Sequence, residues 1–245
     1  MDRLVWANAL EKIQPYVFRI RTPTGTGTGF QLSYSSQTDL CSIATALHVV
    51  SHAKEWDDSV KLHHYSSGKT TLLRPNDRTI DSLAALDLAF IVFRAKELPL
   101  QPGTLDLIAE NRRLREGVQI GWCGFPAIAP NNLCFFTGCI SSYIEDQTSY
   151  LIDGVSINGI SGGPSFYLEK SNQIIICGIV SAYIPNRATG EALPGVCVVR
   201  NITPYHGRLK LLKSLEEAES LKTLEAPQPA KTKKTDPKKQ KRKRG

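Results

Sequence analysis

The stretch Asn158–Pro164 (NGISGGP) sets a serine among glycines, and it carries the strongest chemical signal in the chain. Glycine neighbours leave the hydroxyl of Ser161 accessible and let the backbone come close to a substrate carbonyl. Gly159 can present its N–H group beside that of Ser161, and two such donors are what a developing oxyanion needs in acyl transfer. A glycine-rich turn between strands would give the same pattern without chemistry, so the motif needs partners elsewhere in the chain.

The same residues match the Gly-x-Ser-x-Gly pattern of a nucleophile elbow. That motif requires a strand, a turn and a helix, with the acid and then the histidine following the serine. Pro164 and the segment SFYLEK after it do not begin a helix. Downstream of Ser161 the only histidine is His206 and the only aspartate is Asp236. Both the order and the local context therefore exclude the nucleophile elbow.

Residues upstream of Ser161 supply the opposite order, in which a histidine and an aspartate precede the serine. His48 follows the apolar run at 42–47, which predicts that it lies at the end of a strand. Asp87 directly precedes the apolar run Leu88–Phe93, so its charged side chain would lie at the beginning of a buried strand. A buried carboxylate is costly unless it is paired, and a histidine N–H is a natural partner.

The strings around these residues resemble the three catalytic blocks of trypsin-like serine peptidases: TALHVV (45–50), DLAFIV (87–92) and GISGGP (159–164). Further strings resemble segments of the HtrA-like branch and its relatives: GTGTGF (25–30), GFP (124–126), TGCIS (137–141) and GIVS (178–181). The matches follow the family's order through roughly residues 15–203, which makes them far more specific together than apart.

The resemblance implies an all-β, chymotrypsin-like fold of two packed antiparallel β-barrels with the active site in the cleft between them. Ser161 would be the nucleophile, His48 the general base and then acid, and Asp87 the group that orients His48. The N–H groups of Gly159 and Ser161 would form the oxyanion hole. The backbone of Ser181 would pair with an extended substrate as an added strand. The expected function is a serine endopeptidase that cleaves proteins or peptides through an acyl-enzyme, without a cofactor or metal.

Two other functions stay open at this point. A peptidase fold could bind peptide or nucleic acid without turnover, and the same nucleophile could serve an esterase or acyltransferase. The chain also departs from its relatives at Ile160, where secreted digestive members have an aspartate and the HtrA-like branch commonly has an asparagine. Activation by cleavage at the N-terminus is therefore not expected. No segment the size of a PDZ domain follows the peptidase-like part.

The resemblance also suggests which residues contact the substrate side chain before the scissile bond. Counting back from Ser161, Val155 falls where trypsin-like relatives have the base of the side-chain pocket. Gly195 would form one wall of the pocket, and Tyr183 could narrow its entrance. A base without a carboxylate offers no partner to Lys or Arg, so we expect small or medium apolar residues before the cut.

The elements that carry these residues are predicted as short β-rich runs between Tyr16 and Thr203, separated by Gly, Pro, Asn and Asp. Helical spacing predicts a short helix over Val5–Ile13, and a C-terminal helix over about 205–223 with an apolar stripe. We expect one peptidase-like domain over residues 1–225, with a first barrel at about 15–100, a connection at Pro99–Glu116 and a second barrel at about 117–203. The apolar residues of the C-terminal stripe are Leu209, Leu211, Leu212, Leu215 and Ala218. His63 and His64 fall in a polar strand, where exposure is expected.

The bulk composition favours an intracellular protein. The 245 residues contain no apolar run of membrane-spanning length, and the N-terminus lacks the basic start and apolar stretch of a secretory signal. Four of the six cysteines lie in apolar runs, and none forms the spacing of a zinc site, so we expect six reduced thiols in the core. A cytoplasmic location is expected, with the nucleus as an alternative in a eukaryote.

The basic charge is confined to the C-terminal end. The stretch Lys231–Gly245 holds nine of the 30 Lys and Arg residues and one of the 23 Asp and Glu residues. Residues 1–230 therefore hold 21 basic and 22 acidic side chains and are nearly neutral. We expect residues 226–245 to form a disordered tail in which Lys231–Arg244 could contact nucleic acid or another polyanion. The alternative is a tail that only adds solubility.

Overall fold

The first eight strands form one antiparallel sheet. The computed structural model describes residues 4–185 and 192–225, apart from the side chains of residues 171, 182–185, 192–194 and 219–225. The strands of this sheet are β1 (Val17–Thr22), β2 (Gly25–Tyr34), β3 (Leu40–Ala46), β4 (Val60–His64), β5 (Thr70–Leu73), β6 (Arg78–Leu83), β7 (Leu88–Arg94) and β8 (Gly103–Thr104). They pair in the order β5-β4-β1-β2-β3-β7-β6, with β8 beside β2. The end strands β5 and β6 are consecutive in sequence and are joined by a short 3-10 turn at Pro75–Asp77. The first unit is therefore a curled, half-open barrel.

The next six strands form a closed barrel. They are β9 (Gln119–Gly124), β10 (Cys134–Ile144), β11 (Ser149–Asp153), β12 (Pro164–Leu168), β13 (Ile174–Pro185) and β14 (Ala192–Asn201), paired in the order β10-β11-β14-β13-β12-β9. Since β9 also pairs with β10, no strand of this barrel has a free edge. The all-β prediction of two packed antiparallel units is confirmed, with the difference that hydrogen bonds close only the second one.

Within the described residues, three α-helices accompany the strands: α1 (Val5–Ile13), α2 (Leu47–Glu55) and α3 (Tyr205–Glu225). The sequence analysis anticipated the first and the last, but it missed α2 and placed His48 at the end of a strand. The backbone N–H of Leu47 donates to the Asp87 carbonyl oxygen, 3.0 Å away, so residues distant in sequence support the start of this helix. Val50 and Ala53, on one face of α2, are fully buried. A helix of nine residues that begins directly after a strand leaves little periodicity to recognise.

The C-terminal helix packs on the body through a narrower stripe than predicted. Tyr205 and Leu212 are buried, and Leu209 packs partly against the core. The hydroxyl of Tyr205 donates to the Ala89 carbonyl oxygen at 2.6 Å and anchors the helix to the first sheet. Leu211 and Leu215 are more than half exposed, so the prediction that the whole stripe packs on the body is wrong for these two residues.

The core falls into two clusters. One fills the first sheet under α2, and the other fills the closed barrel and extends to α1 and the interface between the two units. Four of the six thiols belong to these clusters, and all six are free. Cys134 is half-buried and Cys139 is exposed, which corrects the expectation of six core thiols. His64 is also buried, with its ring nitrogens bonded to the Pro15 carbonyl and the Ser67 hydroxyl, although exposure was expected.

Candidate active site

A histidine–aspartate pair lies at the start of α2. Asp87 precedes β7 in a left-handed conformation with a φ of 53°, which turns its side chain toward the helix. The Nδ1 atom of His48 lies 2.8 Å from Asp87 Oδ2, and the backbone N–H of His48 donates to Oδ1 at 2.9 Å. The carboxylate therefore binds both the first turn of α2 and the imidazole ring, and this fixes the ring's orientation. With Nδ1 committed to Asp87, the Nε2 atom is left to act toward the cleft.

The second unit contributes a third donor to the same carboxylate. The hydroxyl of Ser181, on β13, donates to Asp87 Oδ2 at 2.5 Å. Burial raises the pKa of Asp87, but the hydrogen bonds from His48 and Ser181 outweigh it and hold the pKa below its usual value. Asp87 is thus an anion at neutral pH. The sequence analysis assigned only the backbone of Ser181 to the site, because a hydroxyl's partner across two units leaves no trace in the local pattern.

The loop between β11 and β12 carries Ser161, and backbone hydrogen bonds fix the peptide groups on either side of Ile160. The carbonyl of Asn158 accepts a bond from the Ala127 N–H at 2.7 Å, and that of Ile160 accepts one from the Gly163 N–H at 2.9 Å. Because C=O and N–H point in opposite directions across a trans peptide, the N–H groups of Gly159 and Ser161 point away from those partners. Neither N–H donates to a backbone acceptor within the described residues. Two free donors on adjacent turns form the arrangement expected of an oxyanion hole.

Glycine is required at the first of these donors. Gly159 has a φ of 96°, and an added Cβ would stand 2.3 Å from the Phe125 carbonyl oxygen. Gly162 behaves likewise, with a φ of 88° and a Cβ position 2.0 Å from the Thr28 carbonyl oxygen. The glycines around Ser161 are therefore explained by backbone conformation and close packing against both units, as well as by access to the hydroxyl.

Thr28, on β2, joins the first unit to this loop and was missed by the sequence analysis. It is fully buried, and its N–H donates to the Ser161 carbonyl oxygen at 2.8 Å. Its Oγ1 donates to the Gly159 carbonyl oxygen at 2.9 Å and accepts from the Phe125 N–H at 3.0 Å. Thr45 Oγ1 in turn donates to the Thr28 carbonyl at 2.7 Å. Every polar atom of Thr28 is thus engaged, and its side chain fixes the peptide next to the Gly159 donor. Thr28 lies in the GTGTGF string, but the string alone does not indicate a role for this residue.

The hydroxyl of Ser161 donates to the Ser181 carbonyl oxygen at 3.2 Å. Among the described residues it makes no hydrogen bond with His48, so the serine and the imidazole face one cleft without being bonded to each other. The ring of His48 is half exposed and Asp87 is about a fifth exposed, which leaves the cleft open to a substrate on the side of the histidine. Rotation about the Cα–Cβ bond of Ser161 is the movement that would redirect its hydroxyl.

The residues predicted for the specificity pocket are brought together in part. The N–H of Gly154 donates to the Gly195 carbonyl at 2.8 Å, so Gly195 lies beside the segment that carries Val155. Val155 itself is 46% exposed, so no enclosed floor forms around it. The backbone of Tyr183 pairs with Cys197 on β14, while the Tyr183 side chain lies outside the described residues. The pocket assignment therefore stays a prediction.

Two negative findings apply to the part of the chain that the structure describes. It contains no group of three or more His, Cys, Asp or Glu side chains arranged to hold a metal ion. None of its helices is both long and apolar enough to cross a membrane. The basic tail, residues 226–245, lies outside the described residues.

Several solved structures share this architecture. The Rv3671c protease from M. tuberculosis in its active form matches with a TM-score of 0.59 and 20% identity, covering 86% of each chain. Its inactive form matches with a TM-score of 0.58 and 21% identity, covering 86% of this chain and 95% of that one. Deg5 matches with a TM-score of 0.58 and 20% identity, covering 82% and 93%. No family model and no curated protein sequence matches the chain. The fold is chymotrypsin-like, and at this identity the likeness extends to the fold alone.

Proposed function

We propose that this protein is a trypsin-like serine endopeptidase that uses Ser161, His48 and Asp87. The observation that carries the proposal is the carboxylate of Asp87, which receives the His48 ring, the His48 N–H and the Ser181 hydroxyl beside a serine loop with two free N–H donors. A histidine oriented in this way is a general base whose tautomer is fixed. The chymotrypsin-like fold supports the same conclusion, because its two units meet where these residues lie.

The chemistry follows from these roles. Ser161 Oγ attacks the scissile carbonyl carbon while its proton moves to His48 Nε2, and the N–H groups of Gly159 and Ser161 bind the resulting oxyanion. When the C–N bond breaks, the imidazolium gives that proton to the leaving amine. Water then hydrolyses the acyl-enzyme with His48 again as the base. Asp87 stays ionised throughout and stabilises the imidazolium of each half-reaction.

A catalytically silent peptide-binding module is the second candidate. One observation favours it: the Ser161 hydroxyl donates to the Ser181 carbonyl rather than to the histidine. If that bond persisted with a peptide in the cleft, the serine would not reach its base. The two free oxyanion donors argue for turnover, because a module that only binds has no need of them.

A fluorophosphonate probe separates the two candidates, because it reacts only with an activated serine. We expect the wild-type protein to be labelled and Ser161→Ala to be unlabelled, and a peptide-library digest to show cleavage by the wild type alone. Ser36→Ala, at an exposed position of the first unit, serves as the matched control and should label normally. A folded wild-type protein that neither labels nor cleaves would establish the silent module, and labelling without peptide cleavage would favour an esterase or acyltransferase.

The remaining expectations concern the partners and location of the protein. We infer that Lys231–Arg244 attracts nucleic acid or another polyanion without sequence preference, because nine cations without aromatic neighbours offer charge but no base stacking. Deleting residues 231–245 should abolish DNA binding in a gel-shift titration while a short neutral peptide is still cleaved. Binding retained by the truncated protein with the same salt dependence would show that the tail is not responsible. An intracellular location, cytoplasmic or nuclear, remains a proposal from the sequence.

A further inference from the structure

Four basic side chains meet on the outer face of the first sheet. In the antiparallel pairing of β1 with β4, Arg19 lies directly opposite His63, and Arg21 lies directly opposite Lys61. Side chains of directly opposite residues share a face and have Cβ atoms about 5 Å apart, while residues i and i+2 are about 7 Å apart along a strand. These four residues, called the cationic patch below, therefore occupy one small rectangle.

No acidic group balances the cationic patch. Among the described residues, no carboxylate forms an ion pair with any of its four members. Burial and the neighbouring Arg21 lower the pKa of Arg19, and burial, Arg19 and Arg21 are the largest causes that lower the pKa of His63. Like charges directly opposite each other destabilise a sheet, so the pairing of Arg21 with Lys61 has a structural cost that no ion pair among the described residues offsets.

The cationic patch adjoins the candidate active site. Strand β2 runs between them, with Thr28 paired to Arg19 and Thr26 paired to Arg21 on the same face. Thr28 is the residue whose N–H binds the Ser161 carbonyl. Arg19 also reaches across to the second unit, where its guanidinium donates to the Pro130 carbonyl oxygen at 2.5 Å and to Asn131 Oδ1 at 2.6 Å. Arg21 and Lys61 are exposed and lie beyond this contact.

The direction of a bound peptide follows from the two sides of the serine. The substrate residue before the scissile bond is proposed to lie next to β13 and Val155. The residues after the scissile bond would therefore lie on the other side of Ser161. That side is the beginning of β2, because the backbone of β2 contacts the serine loop there through the Thr28 N–H, which donates to the Ser161 carbonyl oxygen at 2.8 Å. Arg21 lies one strand spacing across from Thr26 and about 7 Å along β1 from Arg19. An extended peptide therefore brings its second to fourth residues after the cut within reach of Arg21 and Lys61.

We propose that the cationic patch selects substrates with acidic residues at the second to fourth positions after the scissile bond; this rests on the proposed peptidase function. Arg21 and Lys61 bind those carboxylates. Arg19, which is held against the second unit by its hydrogen bonds, adds positive charge beside them. Carboxylates placed there relieve the repulsion between the strands, so the strain present in the free protein favours binding of an acidic peptide over a neutral one. An acidic peptide fits better than a nucleic acid because the rectangle is small, whereas duplex binders spread several phosphate contacts over a long surface.

The test compares two peptides that differ only after the cut, one with glutamates and one with glutamines at these three positions. The wild-type protein should cleave the glutamate peptide with a kcat/KM about tenfold higher, as two or three exposed ion pairs allow. In Arg21→Gln/Lys61→Gln that ratio should fall close to one. The control, Arg115→Gln/Lys213→Gln, removes the same charge from exposed positions elsewhere and should keep the wild-type ratio. Raising the salt concentration should reduce the ratio in the wild type.

The outcomes separate this proposal from the proposed function. Equal cleavage of both peptides by the wild type, or a preference that persists in Arg21→Gln/Lys61→Gln, overturns the role of the patch while the peptidase function stands. If neither peptide is cleaved, fluorescence anisotropy of labelled peptides decides: binding of the glutamate peptide that Arg21→Gln/Lys61→Gln abolishes supports the patch even where the peptidase function fails. If residues 1–230 instead bind a DNA oligonucleotide through Arg21 and Lys61 without preferring the glutamate peptide, the patch is a polyanion site and the proposal is wrong.

Discussion

The two units of the molecule hold different parts of the proposed triad. The half-open first unit holds both His48 and Asp87, and the bonds that join them lie largely within that unit at the start of α2. The closed second barrel holds Ser161, but the loop that carries it is tied to the first unit through Thr28. The proposed base is therefore oriented mainly by local contacts, and the loop of the proposed nucleophile by contacts across the junction. If the proposed function holds, the activity should depend on the docking of the two units as much as on either fold.

The carboxylate of Asp87 also crosses the junction, through the Ser181 hydroxyl at 2.5 Å. This bond and the bonds of Thr28 both join the two units, and the serine loop itself contacts Thr28 on one unit and the Ser181 carbonyl on the other. Each of these hydrogen bonds between the units joins a buried polar group of one unit to a group of the other unit. Removing one member would leave the other buried without a hydrogen-bond partner, which costs free energy. Substitutions at the junction should consequently reduce the rate of cleavage while both units remain folded.

The largest effect is expected from the proposed triad itself. Ser161→Ala and His48→Ala should each lower kcat/KM about 10⁴-fold, and Asp87→Asn should leave a small residual activity by misorienting the ring. Initial rates on a cleaved peptide measure the loss, and circular dichroism checks the fold.

His52 provides a matched control for His48. It lies on the same helix, four residues later, and its Nδ1 makes an equally short contact of 2.8 Å with Asp58. It faces no part of the serine loop among the described contacts, so His52→Ala should retain most of the activity. A loss in His52→Ala as large as in His48→Ala would show that the helix, rather than the imidazole, is what matters, and the triad would be refuted.

The next largest effect is expected at the junction. Thr28→Val keeps the shape of the side chain but leaves the Gly159 carbonyl and the Phe125 N–H without their partner. We expect kcat to fall about tenfold, less than the 10²–10³-fold typical of removing an oxyanion donor outright, because Thr28 only positions the donor. KM should change little, and affinity for a transition-state analogue should fall with kcat. Thr28→Ser retains the hydroxyl and should restore the rate; failure of this rescue would argue for a packing role alone.

Much of the site could be predicted from the sequence because its residues stand in contiguous strings. The serine loop, Asp87 before its apolar strand and His48 after its own could all be recognised there. The contacts of Thr28 and the Ser181 hydroxyl could not, because their partners are separated by scores of residues and no periodicity records them. The short helix α2 was missed for a related reason: its first turn is completed by Asp87, which lies 39 residues away in sequence, directly before β7. Burial of His64 depended likewise on a distant carbonyl, that of Pro15.

A smaller effect is expected in the pH dependence of stability. In the folded protein the hydrogen bonds to Asp87 outweigh its burial and lower its pKa, so the unfolded chain takes up the proton first as the pH falls. The stabilisation is therefore complete above the ordinary carboxyl pKa of about 4 and is lost as the pH falls through the lower value of the folded protein. Asp87→Asn should cost about 1 kcal/mol of unfolding free energy at neutral pH. In denaturant titrations the difference from wild type should narrow below about pH 4, and a difference that is constant with pH would contradict the linkage.

The smallest effect is expected from the thiols, and it compares the buried cores of the two units with the protein surface. Burial raises the pKa of Cys177 and Cys197 to about 12, and it raises those of Cys41 and Cys123 as well, so these four are neutral and inaccessible at neutral pH. Cys139 is exposed on β10. Brief treatment of the native protein with iodoacetamide should therefore modify Cys139 first, leave the four buried thiols unmodified and leave the activity unchanged. Mass spectrometry of wild type and Cys139→Ser measures the sites, and the melting temperature should be the same with and without reductant. A large drop in melting temperature on reduction would reveal a disulfide and contradict the free thiols of this fold.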